Sequence, residues 1–363
     1  MTQTPARHRV CEWLRVASVP RSAVGVSIVI PSYNTSAFVV GAVRSALQQT
    51  YSALEVIVVD DGSTDDSVNQ ILTVHDDRLT CVTQFHRGLA AARNTGIRLT
   101  RGKYVAFLDS DDLWSPLKIA HHLAAMEKDA TVGVTFSYSA YLAENGEPTG
   151  EYLITRCGRP DVQQLMRRNH IGNGSSAVVR RECFEIAGLF DEALSGCADW
   201  EFWVRVAAVS GLAFQLIPKV LTGYRIRTGS LSVTSGSYDE FLSDGLQAIR
   251  RFDRLVPACC RAHAADARAQ LYRVTSRKAL FNGDVAASRS FLCQAVRHSP
   301  SAILRDIRAW ALIAFHIAAG PFPKGMQHRM HQIARTLLAN ALWRHLMSAL
   351  LVAVDLDRFP PVA

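Results

Sequence analysis

The sequence has no Cys-x-x-Cys pair, no His-Glu-x-x-His and no apolar run long enough to cross a bilayer. Each absence removes a class of protein. Its eight cysteines are scattered, and the adjacent Cys259 and Cys260 do not make a zinc half-site. Structural zinc and a disulfide framework are therefore not expected, and free thiols in a reducing cytosol are. Residues 1–23 carry arginines but no continuous apolar segment, so they do not read as a secretory signal. The longest apolar runs, 309–320 and 346–354, are too short to span a membrane, and the first contains His316. A helix lying in the membrane interface is the one membrane contact these runs suit.

Glutamate is also missing from Gly245 to the end, where 17 Lys/Arg stand against 6 Asp. The whole chain is +8, so the remainder is mildly acidic. A basic tail on such a body suits an anionic surface, phospholipid or nucleic acid; the alternative is a solvated helical face. Nucleic acid is the weaker partner, because neither a binding motif nor interleaved aromatic platforms accompany the arginines.

What is present is an alternation of strand and helix across 363 residues, enough for one large α/β domain with an appendage. Short β-branched runs at 24–30, 55–60, 79–83 and 104–108 read as buried strands. Helical spacing separates them, starting from a Ser36 cap and again over 88–99. Unalternated strands between helices imply parallel strands covered on both faces. Beyond Asp112 the pattern becomes α+β: helix over 114–128, strand over 132–142, strand over 175–179, helix over 200–209 and strand over 214–226. From Tyr238 onward nearly everything reads as helix, with 261–280 and 285–296 forming a hairpin about Asn282-Gly283-Asp284. Three segments follow: a basic leader 1–23, a main domain 24–237 and a helical region 238–363.

Ligands of open parallel sheets bind at the carboxyl ends of the strands. Three polar clusters fall at such ends: Pro31-Ser32-Tyr33-Asn34, Asp60-Asp61-Gly62-Ser63 and Asp109-Ser110-Asp111-Asp112. The last packs three carboxylates into four residues, which repel unless a cation sits among them. Oxygen ligands at a strand end suit Mg²⁺ or Mn²⁺ together with substrate phosphates. The alternative, an N-cap for the following helix, needs only one acid. The Gly172-Asn173-Gly174-Ser175-Ser176-Ala177 segment matches a dinucleotide fingerprint but precedes a strand instead of a helix, so it reads as a loop on the acceptor side. His121 and His122 read as surface residues.

These clusters, with Gly88-Leu89-Ala90-Ala91-Ala92-Arg93-Asn94-Thr95-Gly96-Ile97, Gly188-Leu189-Phe190-Asp191-Glu192, Asp199-Trp200-Glu201 and Tyr224-Arg225, resemble the ordered blocks of family 2 glycosyltransferases. The resemblance covers residues 24–232 and leaves the leader and helical tail unexplained. It implies an α/β fold of GT-A type: a Rossmann-like nucleotide-sugar domain with a mixed central sheet, followed by an α-helical C-terminal appendage. It implies an inverting, non-processive transferase acting in cell-surface polysaccharide or glycolipid assembly. The donor is a nucleotide-diphosphate sugar, with uridine diphosphate favoured, and the acceptor a saccharide or lipid-linked hydroxyl. The setting is cytoplasmic, peripheral on the inner face of the membrane. By the same resemblance Pro31, Tyr33 and Asp61 face the nucleobase and Asp109 the ribose. Arg93 or Arg87 approaches the diphosphate, the alternative for Arg93 being a place on the helix surface. Asp111 and Asp112 hold Mn²⁺ or Mg²⁺, and Asp199 is the catalytic base, its alternative being a helix cap.

Two positions depart from the family pattern. Ala198 stands where an acid often precedes the base, and Arg227 where a histidine often provides a further metal or phosphate contact. A guanidinium cannot ligate a cation but can pair with phosphate. These departures sustain a rival reading, a catalytically silent GT-A-like binding or scaffold module. The chain also lacks the Gln-x-x-Arg-Trp sequence of processive members.

Overall fold

The computed structural model describes residues 11–20, 24–155, 157–227, 238–255 and 262–319. Four parallel strands form its centre: β2 (Val26–Ser32), β3 (Leu54–Asp60), β4 (Leu79–Gln84) and β5 (Tyr104–Phe107), in the order β4-β3-β2-β5. Every residue of β2 and β3 is buried, which is why their sequences run apolar without alternation. Side chains still alternate between faces. Ile28 and Ile30 join one core with α1 (Val39–Leu47) and α4 (Lys118–Lys128), while Val29 joins the other with α3 (Leu89–Leu99). Gly96 lets α3 lie directly on β2, since a Cβ there would fall 2.3 Å from a Val29 methyl.

The remaining strands make the sheet mixed, as the GT-A resemblance implies. β1 (Cys11–Arg15), inside the leader, lies antiparallel on β4. Beyond β5 come β9 (Ala177–Arg180), antiparallel to both its neighbours, then β7 (Val132–Leu142) and β10 (Ala213–Arg225), parallel to each other. β6 (Leu113–Trp114) ends the path on β10, and β8 (Pro148–Leu153) pairs off β7. The helix expected from Trp114 therefore starts four residues later, because Leu113 and Trp114 pair with β10 first. Ser36 does not cap α1; its N–H is held by Asp65 Oδ2 at 3.0 Å, and Phe38 occupies the cap position.

His122, expected at the surface, is wholly buried. It shares the inward stripe of α4 with Lys118 and Met126, one turn apart. Its Nδ1 lies 2.9 Å from Thr135 Oγ1. Lys118 is equally buried, and its Nζ donates to Ser176 O at 2.9 Å, Thr222 Oγ1 at 3.2 Å and Ser137 Oγ at 3.3 Å. Burial pushes the ammonium's pKa well below its ordinary value.

The helices after Tyr238 join the main core instead of standing apart. α8 (Tyr238–Leu255) sends Leu242, Ala248, Ile249 and Phe252 into the cluster that holds Trp200 and Phe202. Phe252 meets Trp200 edge to face, centroids 5.1 Å apart, worth about 0.5–1.5 kcal/mol beyond the area buried. The expected hairpin is α9 (Ala262–Phe281) and α10 (Val285–His298), whose cap Asp284 accepts from the Ala287 N–H. α11 (Pro300–Leu304) and α12 (Ile307–Ala319) pack on that pair. The apolar run at 346–354 lies outside the described residues.

Candidate active site

The three polar clusters meet at the carboxyl ends of β2, β3 and β5. Asn34 takes a left-handed conformation (φ 51°), which turns the chain off β2, and its Oδ1 accepts from the Thr64 N–H at 2.8 Å. Thr35 Oγ1 bridges to Ser32 Oγ and to Ser110 Oγ, each at 3.0 Å, tying the first cluster to the third.

Tyr33 is exposed and stacks on His86, ring centroids 4.1 Å apart. Asp61 is buried beneath them. Its carboxylate accepts from Gln84 Nε2 at 2.6 Å and from the backbone N–H groups of Arg87 and Gly88, and His86 Nδ1 lies 2.9 Å away. Asp61 thus shapes the turn into α3 and holds the His86 ring under Tyr33. Pro31 is buried within β2, opposite Val59.

At the end of β5, Asp109 Oδ1 accepts from Arg93 at 2.6 Å. Arg93 is not on the helix surface. Its guanidinium is buried between the Phe107 and Phe190 rings, 6.0 and 5.8 Å from their centroids. Asp111 stays partly open, and its Oδ2 accepts from Arg227 Nε at 2.7 Å. Burial and the neighbouring Asp109 raise the Asp111 carboxyl above its usual range, against the opposing pull of Arg227. Asp112 points the other way. It is fully buried, its Oδ2 accepting from Ser175 Oγ at 2.5 Å and its Oδ1 from the Arg225 N–H at 2.9 Å. Burial, then Asp111 and Asp109, push its carboxyl well above the ordinary value. Both its oxygens serve the loop's own framework.

The Gly172–Ala177 stretch, read as an acceptor-side loop, lies under this rim. Ser175 Oγ also accepts from the Asp109 N–H at 2.9 Å, and a Cβ on Gly174 would fall 2.2 Å from Arg93. Only glycine fits there while Arg93 reaches Asp109. The sequence showed a run of small residues but not which loop it supported. Asp199 lies in the first turn of α7 (Ala198–Val209), half-buried, with Asn169 Nδ2 3.3 Å from its Oδ2. Its carboxyl is raised by burial; Arg93 and the Trp200 N–H pull it down and Asp109 pushes it up, so it shares a field with the β5 cluster.

Among the described residues no group of three or more His, Cys, Asp or Glu side chains converges to hold a metal alone. Asp109 and Asp111 do fit a cation that arrives with a diphosphate, because Mg²⁺ commonly takes one or two carboxylates plus substrate oxygens. Such a cation would offset the burial of Asp111 and its repulsion by Asp109, which the Arg227 pair offsets only in part.

Comparison with known proteins finds similarity to glycosyltransferases in sequence and in fold. The family model described as "Glycosyl transferase family 2" matches residues 27–186. Over 219 residues the chain is 35% identical to the Escherichia coli UDP-Glc:alpha-D-GlcNAc-diphosphoundecaprenol beta-1,3-glucosyltransferase WfgD, covering 57% of this chain and 79% of that protein. The E. coli enzyme of the same description named WfaP is 32% identical with the same coverage. Among solved structures, S. aureus TarS 1-349 in complex with UDP-GlcNAc superposes with a TM-score of 0.58 at 16% identity, covering 87% of this chain and 92% of that one. The mannosyltransferase PcManGT from Pyrobaculum calidifontis, in complex with GDP-Man and Mn2+, gives 0.54 at 20% identity, covering 88% and 87%. At these identities the two structures speak for the fold.

Proposed function

The chain belongs to glycosyl transferase family 2, and from that premise we propose that it moves a sugar, with inversion, from a uridine diphosphate donor to a hydroxyl of a lipid-linked saccharide. One observation carries this reading: Arg93 of α3 is ion-paired to Asp109 at the end of β5 at 2.6 Å, Asp111 follows two residues on, and Asp199 of α7 feels the charge of both Arg93 and Asp109. The two E. coli relatives, whose names specify a UDP-glucose donor and a diphosphoundecaprenol-linked acceptor, support the substrate class.

In this scheme the base lies at the Tyr33 side, above the Asp61-braced turn, and the ribose near Asp109. Asp111 with Asp109 would hold Mn²⁺ or Mg²⁺, which when bound neutralises charge on the departing diphosphate. We assign Asp112 to holding the loop through Ser175 and Arg225 and leave it out of the metal set. Asp199 accepts the proton of the attacking hydroxyl as the new bond to the anomeric carbon forms and the bond to the diphosphate breaks. A single displacement needs no second carboxylate as nucleophile. Half-burial lifts the affinity of Asp199 for that proton, while Arg93 keeps the group ionisable.

A membrane surface is the setting we propose for the acceptor. Among the described residues no helix is long and apolar enough to cross a membrane. α11 and α12 instead expose Leu304, Trp310 and Ile317 within the Glu-free basic segment. The decisive experiment is a screen of nucleotide sugars for Mn²⁺-dependent donor hydrolysis by wild type and Asp111→Ala. Hydrolysis of a UDP-sugar by wild type and its loss in the variant are expected. No turnover of any donor would leave a binding module, and full activity in the variant would remove Asp111 from the donor site.

A further inference from the structure

We propose that Arg227 is a built-in counter-cation for the rim, occupying Asp111 until a diphosphate draws it away. The protein then takes up its divalent cation and its nucleotide together instead of one before the other. This rests on the donor-site reading above and adds a binding order that the reading does not require.

Two arginines approach the same loop, and they are held differently. Arg225 is fixed: its Nε donates to Asp111 O at 2.7 Å, and its NH1 to Glu144 O at 2.7 Å and Ala143 O at 3.4 Å. Arg227 has, among the described residues, one polar partner, the Asp111 carboxylate. Its guanidinium otherwise rests over the Phe38 ring, 5.5 Å from the centroid, on the ring that Arg225 also covers at 5.1 Å. An aromatic face supports a guanidinium without fixing its rotation. Arg227 can therefore change partner without disturbing backbone, whereas Arg225 cannot.

The charge arithmetic at Asp111 gives this freedom a use. With Arg227 on Oδ2, a divalent cation approaching the same carboxylate meets a positive group that cannot ligate it. A diphosphate alters the balance, offering the guanidinium oxygens that suit its paired donors and the cation the oxygens it lacks. Once Arg227 moves to phosphate, Asp111 is released. Linkage requires the effect to be reciprocal: the factor by which nucleotide raises cation affinity equals the factor by which cation raises nucleotide affinity.

Mn²⁺ binding to the full-length protein, read from the paramagnetic resonance of free Mn²⁺ with and without UDP, tests this directly. For wild type, binding should be weak alone and at least about tenfold tighter with UDP, within the usual span of such couplings. Arg227→Met keeps an apolar stem over Phe38 but removes the charge. It should bind Mn²⁺ about tenfold tighter than wild type without UDP, and its coupling to UDP should shrink. Arg227→Lys, which retains the charge, should stay near wild type. The proposal is overturned if Arg227→Met binds Mn²⁺ no tighter than wild type in the absence of UDP, or if Arg227→Lys binds it as tightly as Arg227→Met. Asp111→Asn separates the two levels: Mn²⁺ binding with UDP that survives this change removes the donor-site reading itself.

Discussion

Asp244 on α8 accepts a 2.5 Å hydrogen bond from the backbone N–H of Cys197, which caps α7 two positions before Asp199. Its other oxygen takes the Ser195 N–H at 3.0 Å. The helical segment after Tyr238 thus holds the loop that delivers the proposed base. Asp244→Ala leaves these N–H groups without an acceptor, at about 1–3 kcal/mol for each that stays buried. We expect a lower melting temperature and a fall in kcat with donor KM little changed. Asp244→Asn, which keeps one acceptor, should fall between. Ending the chain at Ser243 should cost activity outright, because α8 belongs to the main core. A folded Asp244→Ala protein with wild-type kcat would sever the link.

Asp199 must be ionised to accept a proton. Burial, the largest influence, raises its pKa, and Arg93 and the Trp200 N–H only partly restore it. The active form is therefore lost as pH falls through a value above the ordinary carboxylate range, and kcat/KM should show an acid limb there. Asp199→Asn should lower kcat by about 10²–10⁴ and abolish that limb. UDP and Mn²⁺ binding, measured by calorimetry, should survive. Equal losses in binding and turnover would place Asp199 in the donor site.

Lys118 supplies a pH test of stability. Its pKa is depressed in the folded protein, so the unfolded chain binds the extra proton more readily. Stability relative to a variant without the amine should rise with pH until about 10.4, the unperturbed lysine value, and be lost as pH falls towards the folded value. The slope approaches about 1.4 kcal/mol per pH unit only where the buried amine is neutral while the unfolded chain's is still protonated. Denaturant titrations of wild type and Lys118→Met at several pH values would measure it. Parallel curves for the two proteins would mean that Lys118 stays charged in place.

Vesicle binding tests the membrane setting. Exposed Leu304, Trp310 and Ile317 can enter the headgroup region while basic residues meet anionic lipid, each worth about 1 kcal/mol near the surface. Sedimentation with anionic vesicles should be strong at low salt, weaken as salt rises and vanish with neutral lipid. Trp310→Glu should reduce it severalfold. Indifference to anionic vesicles at low ionic strength would make the tail a packing element.

The central strands were legible because β2, β3 and β5 are covered on both faces, which leaves unbroken apolar runs with polar residues at their carboxyl ends. Asp109 and Asp111 stand out in the sequence for a related reason, charge placed where the chain leaves buried β5, whereas Asp199 sits in the first turn of α7 and is marked only by the family resemblance. Ser175 was not, since its bonds to Asp109 and Asp112 cross more than sixty residues and a serine run carries no local sign of such partners. Asp112 misled because spacing alone cannot tell an outward carboxylate from an inward one. His122 reads as a surface residue from its polarity alone, though its four-residue spacing from Lys118 and Met126 repeats the inward stripe of α4. β1 went unseen because a five-residue strand in a polar leader has no periodicity to read.

β1 covers the N–H and C=O groups along the outer side of β4, pairing Cys11 with Gln84 and Trp13 with Val82. A chain shortened to begin at Val24 would bare that row as a template for a second molecule. Such molecules would join edge to edge and leave solution as aggregates, even with every donor-site residue intact. Residues outside the family's ordered blocks would then decide whether the enzyme can be kept dispersed at working concentration.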